Sequence, residues 1–207
     1  MRIVIPLYDG FTALDAVGPY EVLHFLPGAE MVFAAAEVGP VRDSVKALAI
    51  TADVVFADID FCDVLVVPGG PASRKLLGNA ELLGWIRRMN EGTTWTTSVC
   101  TGSLLLGAAG LLEGLSATTH WGAAEMLAEF GATYTDERVV FQGKIVTAAG
   151  VSSGIDMALA LAGRIAGQTT AEAIQLAIEY DPQPLYDAGS LAKAPQAAKD
   201  LLARKFR

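Results

Sequence analysis

Two runs in this chain, residues 31–36 and 64–67, are apolar at every position, and each meets a Gly or Pro within three residues. A half-exposed strand alternates apolar and polar side chains. A run this uniform belongs to a strand covered on both faces, as in the parallel sheets of α/β proteins. Helix-like stretches separate such runs. Residues 2–8 form a short apolar run that breaks at Asp9-Gly10, and residues 12–26 are helical in pattern, with Gly18-Pro19 predicting either two short helices or one bent one. Residues 49–59 supply one or two shorter strands. Leu82, Leu83, Ile86 and Met89 make a helical stripe that Asn79 can cap.

The alternation continues to the end of the chain. A β-rich run over 93–99 stops at Cys100, and a small-residue helix over 102–112 follows. A short strand over 117–120 leads into a helix over 122–130. Residues 139–141 and 144–147 pair as a hairpin about Gln142-Gly143. Long helices follow over 152–165 and 170–180, with Thr169 or Thr170 capping the second. Asp181-Pro182-Gln183-Pro184 ends the pattern, and 195–207 predicts a terminal helix. The expected architecture is a three-layer α/β/α sandwich with a mostly parallel sheet, in one domain over 1–207 with 181–207 as an extension.

Composition narrows the function. Hydrophobic residues make up 52% and charged residues 18%, which excludes intrinsic disorder and predicts a buried oligomer face, hence a homodimer. Fifteen Lys and Arg stand against 23 Asp and Glu, a formal charge of −8. That balance argues against nucleic-acid and anionic-membrane partners, which need a basic face. The N-terminal apolar run is too short for a signal peptide, and no window is long enough to span a bilayer. Two cysteines make no disulfide scaffold, so a reducing cytoplasm is the expected compartment.

Ligands of parallel α/β sheets bind where strands end and helices begin. That rule selects three junctions: residues 9–15, 68–72 and 98–103. At the third, Ser98-Val99-Cys100-Thr101-Gly102 has the layout of a nucleophile elbow with Cys in the nucleophile position. Small neighbours, Ser98 and Gly102, permit the tight turn. Helix N-terminal N–H groups beside the sulfur predict a lowered thiol pKa. The competing reading is an inert buried cysteine. Pro68-Gly69-Gly70-Pro71 is either a plain turn or a backbone donor for an oxyanion. Asp15 lies in the apolar context Ala13-Leu14-Asp15-Ala16-Val17, as a first-turn carboxylate or as a site group. Beside a thiolate its pKa would rise and it would hold a proton. His120 either completes a Cys/His pair or is a hydrogen-bonded structural histidine. His24, three residues after Glu21, makes no convincing metal set, and no metal site is expected. Cys62 reads as core.

Five blocks together carry a resemblance. They are the run from Tyr8 through Asp15 to Pro19, Val66-Val67-Pro68-Gly69-Gly70, Ser98-Val99-Cys100-Thr101-Gly102-Ser103, Ala117-Thr118-Thr119-His120-Trp121, and the run from Thr147 through Gly150 and Val151 to Asp156. In this order and spacing the chain resembles the ThiJ/PfpI superfamily, a flavodoxin-like fold related to class I glutamine amidotransferases. Within it, Asp15 and Thr101 resemble the isocyanide hydratase branch. The resemblance implies a homodimer and a cofactor-free reaction, R–N≡C plus water to R–NH–CHO. Cys100 would be the nucleophile, Asp15 the acid and base, and Thr101 the residue orienting Asp15. N–H groups of Gly70 and Thr101 would stabilise negative charge, and Gly150 and Val151 would line the crevice. His120 matches a family position. The resemblance also admits glyoxalase or deglycase chemistry, and a non-catalytic oxidative sensor at Cys100. The Asp-Ala-Val-Gly-Pro block occurs too in AraC-type regulators, but 27 residues after Tyr180 are too few for their DNA-binding domain.

Overall fold

The structure is a computed structural model and describes residues 1–205. Its elements alternate from the start: β1 (Arg2–Pro6), α1 (Ala13–Leu23), β2 (Glu30–Ala35), β3 (Gly39–Arg42), β4 (Ala49–Ala52), β5 (Val54–Val55), β6 (Val64–Val67), α2 (Ala80–Gly92) and β7 (Trp95–Val99). The rest are α3 (Gly102–Ala108), β8 (Ser116–Ala117), β9 (Thr133–Tyr134), β10 (Val139–Gln142), β11 (Ile145–Ala148), α4 (Ser153–Ala166), α5 (Gln168–Ala177) and α6 (Gln196–Lys205). Of the terminal helix predicted over 195–207, residues 206 and 207 lie outside the described residues.

The central sheet has seven strands in the order β10-β11-β7-β6-β1-β2-β5. Every pair is parallel except β10 with β11, the hairpin turned at Gly143. Helices cover both faces, α1 and α4 on one and α2 and α3 on the other. This is the mostly parallel α/β/α sandwich that the apolar runs require. β6 is buried at all four positions, as are Ile3, Val4 and Ile5 of β1. α3 adds Leu104, Leu105 and Leu106, all fully buried. Each such side chain contributes about 1.5–3 kcal/mol of burial. The register sets Val67 opposite Ser98 and Ser98 opposite Thr147, so the carboxyl ends of β6, β7 and β11 form one edge.

The departures from expectation have local causes. α1 runs unbroken through Gly18-Pro19, because both residues pack on α4. A Cβ on Gly18 would meet Ile155 Cγ1 at 3.1 Å, and a Cβ on Gly154 would meet Pro19 Cδ at 3.2 Å. Tertiary contact thus outweighs the missing proline donor. α3 ends at Ala108, short of the predicted residue 112, since Gly110 turns left-handed at φ +78°. The stretch Trp121–Phe130 winds as 3₁₀ helix, not α. Thr169 and Thr170 do not cap α5: the cap is Gly167, and the Thr170 hydroxyl donates back to Ala166 O at 2.9 Å. The pairing of β3 with β4 and of β8 with β9 is not legible in the sequence, because these strands are too short or too polar to carry a period. Among the described residues, no helix is long and apolar enough to cross a membrane.

Candidate active site

Three loops leave the shared carboxyl edge and converge. β7 ends at Val99, and Cys100 follows at φ +57°, a left-handed conformation that an L-residue adopts only under constraint. The constraint is visible. The Cys100 N–H donates to Ala149 O at 2.9 Å and also reaches Ala148 O at 3.1 Å, at the end of β11. The Cys100 carbonyl accepts from Ser103 Oγ at 3.1 Å and from Thr119 Oγ1 at 3.0 Å. The next turn is possible only without side chains: a Cβ on Gly102 would lie 2.1 Å from Val67 O, and one on Gly69 would lie 2.5 Å from Thr101 N. The small residue two places after the cysteine is thus explained by contact with β6.

Asp15 projects from the first turn of α1 and is fully buried. Its Oδ2 accepts the Gly69 N–H at 3.0 Å, while Oδ1 has no protein hydrogen-bond partner. Burial pushes the carboxyl up from 3.8 to about 7, against the Gly69 N–H and the Cys100 side chain, which favour the anion. The upward direction is the one expected from sequence, but its main cause is desolvation. For Cys100 the direction is reversed from expectation. The thiol is pushed up to about 12, first by burial and then by the Asp15 charge, and hydrogen bonds from Thr101 only partly offset this. The elbow's N–H groups are present, but a cysteine only 5% exposed and beside a carboxylate loses more solvation than they return. Asp15 therefore ionises first, and between about 7 and about 12 the pair holds one proton, chiefly on the Cys100 sulfur.

Thr101 does not orient Asp15. Its Oγ1 accepts the Gly70 N–H at 2.9 Å and is set to donate to Gly70 O at 3.1 Å. That exchange occupies the Gly70 N–H, so Gly70 is not a free oxyanion donor; the Thr101 N–H instead supports the Cys100 sulfur. Tyr8, which carries no functional signal in the sequence, is buried and donates its hydroxyl to Pro68 O at 2.9 Å, fixing the same turn.

Cys100, Thr101, Gly70, His120 and Val151 open together onto a cavity of about 770 Å³. His120 Nδ1 accepts the Gly122 N–H at 3.1 Å, and burial and then the Arg74 charge lower its pKa, favouring the neutral ring. Gly150 lies against that ring; a Cβ there would come within 3.2 Å of Cδ2. Of the remaining candidates, Cys62 is fully buried with its thiol pushed up to about 12. His24 lies 3.7 Å from Glu21 and stacks on Tyr20. Among the described residues, no three His, Cys, Asp or Glu side chains are grouped to hold a metal. The C-terminal segment, to which sequence assigned nothing, supplies Leu191, Lys199, Asp200 and Leu202 to the cavity wall.

A cysteine at a nucleophile elbow, paired with a buried carboxyl on a flavodoxin-like sandwich, defines a class of protein. The DJ-1/PfpI family profile matches residues 1–164, and the chain belongs to that family. It is 40% identical over 200 residues to the isonitrile hydratase of Pseudomonas putida, covering 97% of this chain and 87% of that one. A ThiJ/PfpI family protein from Pseudomonas syringae superposes with a TM-score of 0.94 at 37% identity, over 99% of this chain and 85% of that one. DJ-1beta of Drosophila melanogaster shares the fold, with a TM-score of 0.78 at 23% identity over 87% of this chain and 98% of its own.

Proposed function

We propose that the chain hydrates isocyanides to N-formamides by nucleophilic catalysis at Cys100. The observation that supports this most is the buried Asp15 carboxyl set beside Cys100 at the strand-to-helix elbow, where Cys100 opens onto a cavity of about 770 Å³. An isocyanide carbon accepts a nucleophile when a proton is delivered in concert. The Asp15 carboxylate takes the thiol proton of Cys100, and the thiolate so formed attacks the terminal carbon and forms a C–S bond. The proton of Asp15 is transferred to the substrate, giving a thioimidate on Cys100 and a carboxylate at Asp15. That carboxylate then takes a proton from water as the water adds to the same carbon, and passes it to the nitrogen. Collapse breaks the C–S bond, releases R–NH–CHO, and returns one proton to the pair. The sum is R–N≡C plus H2O, with no redox step and no cofactor.

The Thr101 N–H supports the sulfur as it gains and loses charge. The Thr101–Gly70 exchange and the Tyr8–Pro68 bond keep the opposing turn in place. Neutral His120 and Val151 bound the space for R. The lyase assignment, a cytoplasmic location and a homodimer complete this reading. The dimer rests on the 52% hydrophobic content together with exposed Leu185 and Tyr186, and sedimentation as a monomer at working concentration would reject it. The function is tested by product analysis with an aryl and an alkyl isocyanide, with methylglyoxal in parallel. Formamide without lactate is the expected result; lactate without formamide would shift the reading to glyoxalase chemistry.

A further inference from the structure

The cavity above Cys100 is bounded by apolar side chains, Trp121 and Val151 on the family scaffold and Leu191 and Leu202 from the C-terminal segment. Two cations also line it. Arg74 comes from the 3₁₀ turn that follows Gly70, and Lys199 comes from α6. The Arg74 guanidinium is held at the rim, where Nη2 donates to Gly122 O at 3.3 Å. Its remaining N–H groups have no hydrogen-bond partner among the described residues. Lys199 is half-buried. Neither cation pairs with a carboxylate among the described residues, in a chain whose formal charge is −8. The one carboxylate on the same wall, Asp200, accepts a hydrogen bond from Gln196 Nε2 at 2.8 Å.

We propose that Arg74 and Lys199 form an anion subsite, so that the isocyanides this chain takes have an apolar body ending in a carboxylate. The inference rests on the hydratase reading for the reactive end of the substrate, and on the cavity alone for the far end. An apolar body matches the walls between Cys100 and the rim. A carboxylate at its end meets a guanidinium with free N–H groups and an ammonium, two cations on a wall that carries one carboxylate, Asp200, which pairs with neither of them. Both cations are partly in water, so the gain is modest and falls with salt. The neutral His120 adds no charge here but leaves Nε2–H as a further donor, since Nδ1 already accepts from Gly122.

The test uses the full chain and unreactive product-like probes, 4-formamidobenzoate and 4-formamidobenzamide, in equilibrium binding at low ionic strength. The wild type should bind the carboxylate about tenfold more tightly than the amide. That ratio should drop to about threefold in Arg74→Gln or Lys199→Gln and to about one in the double variant, with circular dichroism confirming an intact fold. A ratio at or below one in the wild type, or one that the double variant leaves unchanged, overturns the subsite. Because binding needs no turnover, the two claims separate. A cation-dependent ratio in a protein that hydrates no isocyanide leaves the subsite standing and removes the hydratase. Formamide production with a ratio of one does the reverse.

Discussion

Gly69 donates its N–H to Oδ2 of Asp15 at 3.0 Å, tying a carboxyl from the first turn of α1 to the turn after β6. The bond fixes one oxygen and leaves Oδ1 buried without a protein partner, on a group whose titration is coupled to Cys100. An unpaired buried carboxylate oxygen costs free energy, and a proton on it lowers the cost by removing the charge. The site therefore keeps a proton that an exposed aspartate would lose.

The pH profile follows. Below about 7 both groups are protonated; above it Asp15 is ionised and can take the proton of the Cys100 thiol. kcat/KM on an isocyanide should rise with a one-proton slope through about 7 and stay level toward 12. A profile flat across pH 5.5–8.5 (about three units) would contradict this role of the Asp15 ionisation.

Stability should move the other way. Asp15 binds its proton more tightly folded, at about 7, than unfolded, at 3.8, so stability is lost as pH rises between these values. Denaturant titrations at about pH 5 and about pH 8 should differ by about 2–3 kcal/mol from this group. Asp15→Asn keeps an acceptor for Gly69 and cannot ionise, so it should lose that part of the difference and be the more stable protein at the higher pH.

The two cysteines should separate cleanly. Cys100→Ala should remove turnover, and Cys100→Ser should nearly do so, since a hydroxyl ionises far less readily than a thiol. Cys62→Ala empties a small volume in the core and should cost about 1 kcal/mol of stability while most of the activity remains. Mass mapping after limited alkylation should find Cys100 modified first, because Cys62 is fully buried and opens onto no cavity lined by the site.

Thr101→Val tests the bond to Gly70. The change keeps the shape and removes the hydroxyl, leaving the Gly70 N–H without its acceptor while the Gly70 carbonyl keeps the Ser73 N–H at 3.0 Å. A loss of about 1–3 kcal/mol in stability is expected, with a fall in kcat as the turn loosens. Wild-type kcat with unchanged stability would show that the turn does not depend on the Thr101 hydroxyl.

Much of this site is legible in the amino-acid sequence. The uniform apolar runs at 31–36 and 64–67 imply a doubly covered sheet, and the strand-to-helix junctions then point to Asp15, the Pro68 turn and Cys100. What stays hidden depends on balance and on distance. The elbow's N–H groups are visible in the pattern, but the desolvation that outweighs them is a property of packing around the sulfur. The expected partner of Thr101 is wrong because it and Gly70, 31 positions apart along the chain, meet only once β6 and β7 pair. Tyr8 looks like the end of an apolar strand, and nothing local marks its hydroxyl as the donor to Pro68. Lys199 and Leu202 lie in a segment with no motif, and only the fold carries them to the cavity.

Proton transfer by Asp15 is the central claim, and Asp15→Asn measures it most directly. The amide still accepts from Gly69 and can donate to the sulfur, so binding of substrate should change little, but it cannot give up a proton. With an isocyanide that the wild type hydrates, kcat should fall by about 10²–10⁴, equivalent to about 3–5 kcal/mol, while KM moves by far less. Wild-type kcat in Asp15→Asn would contradict the account.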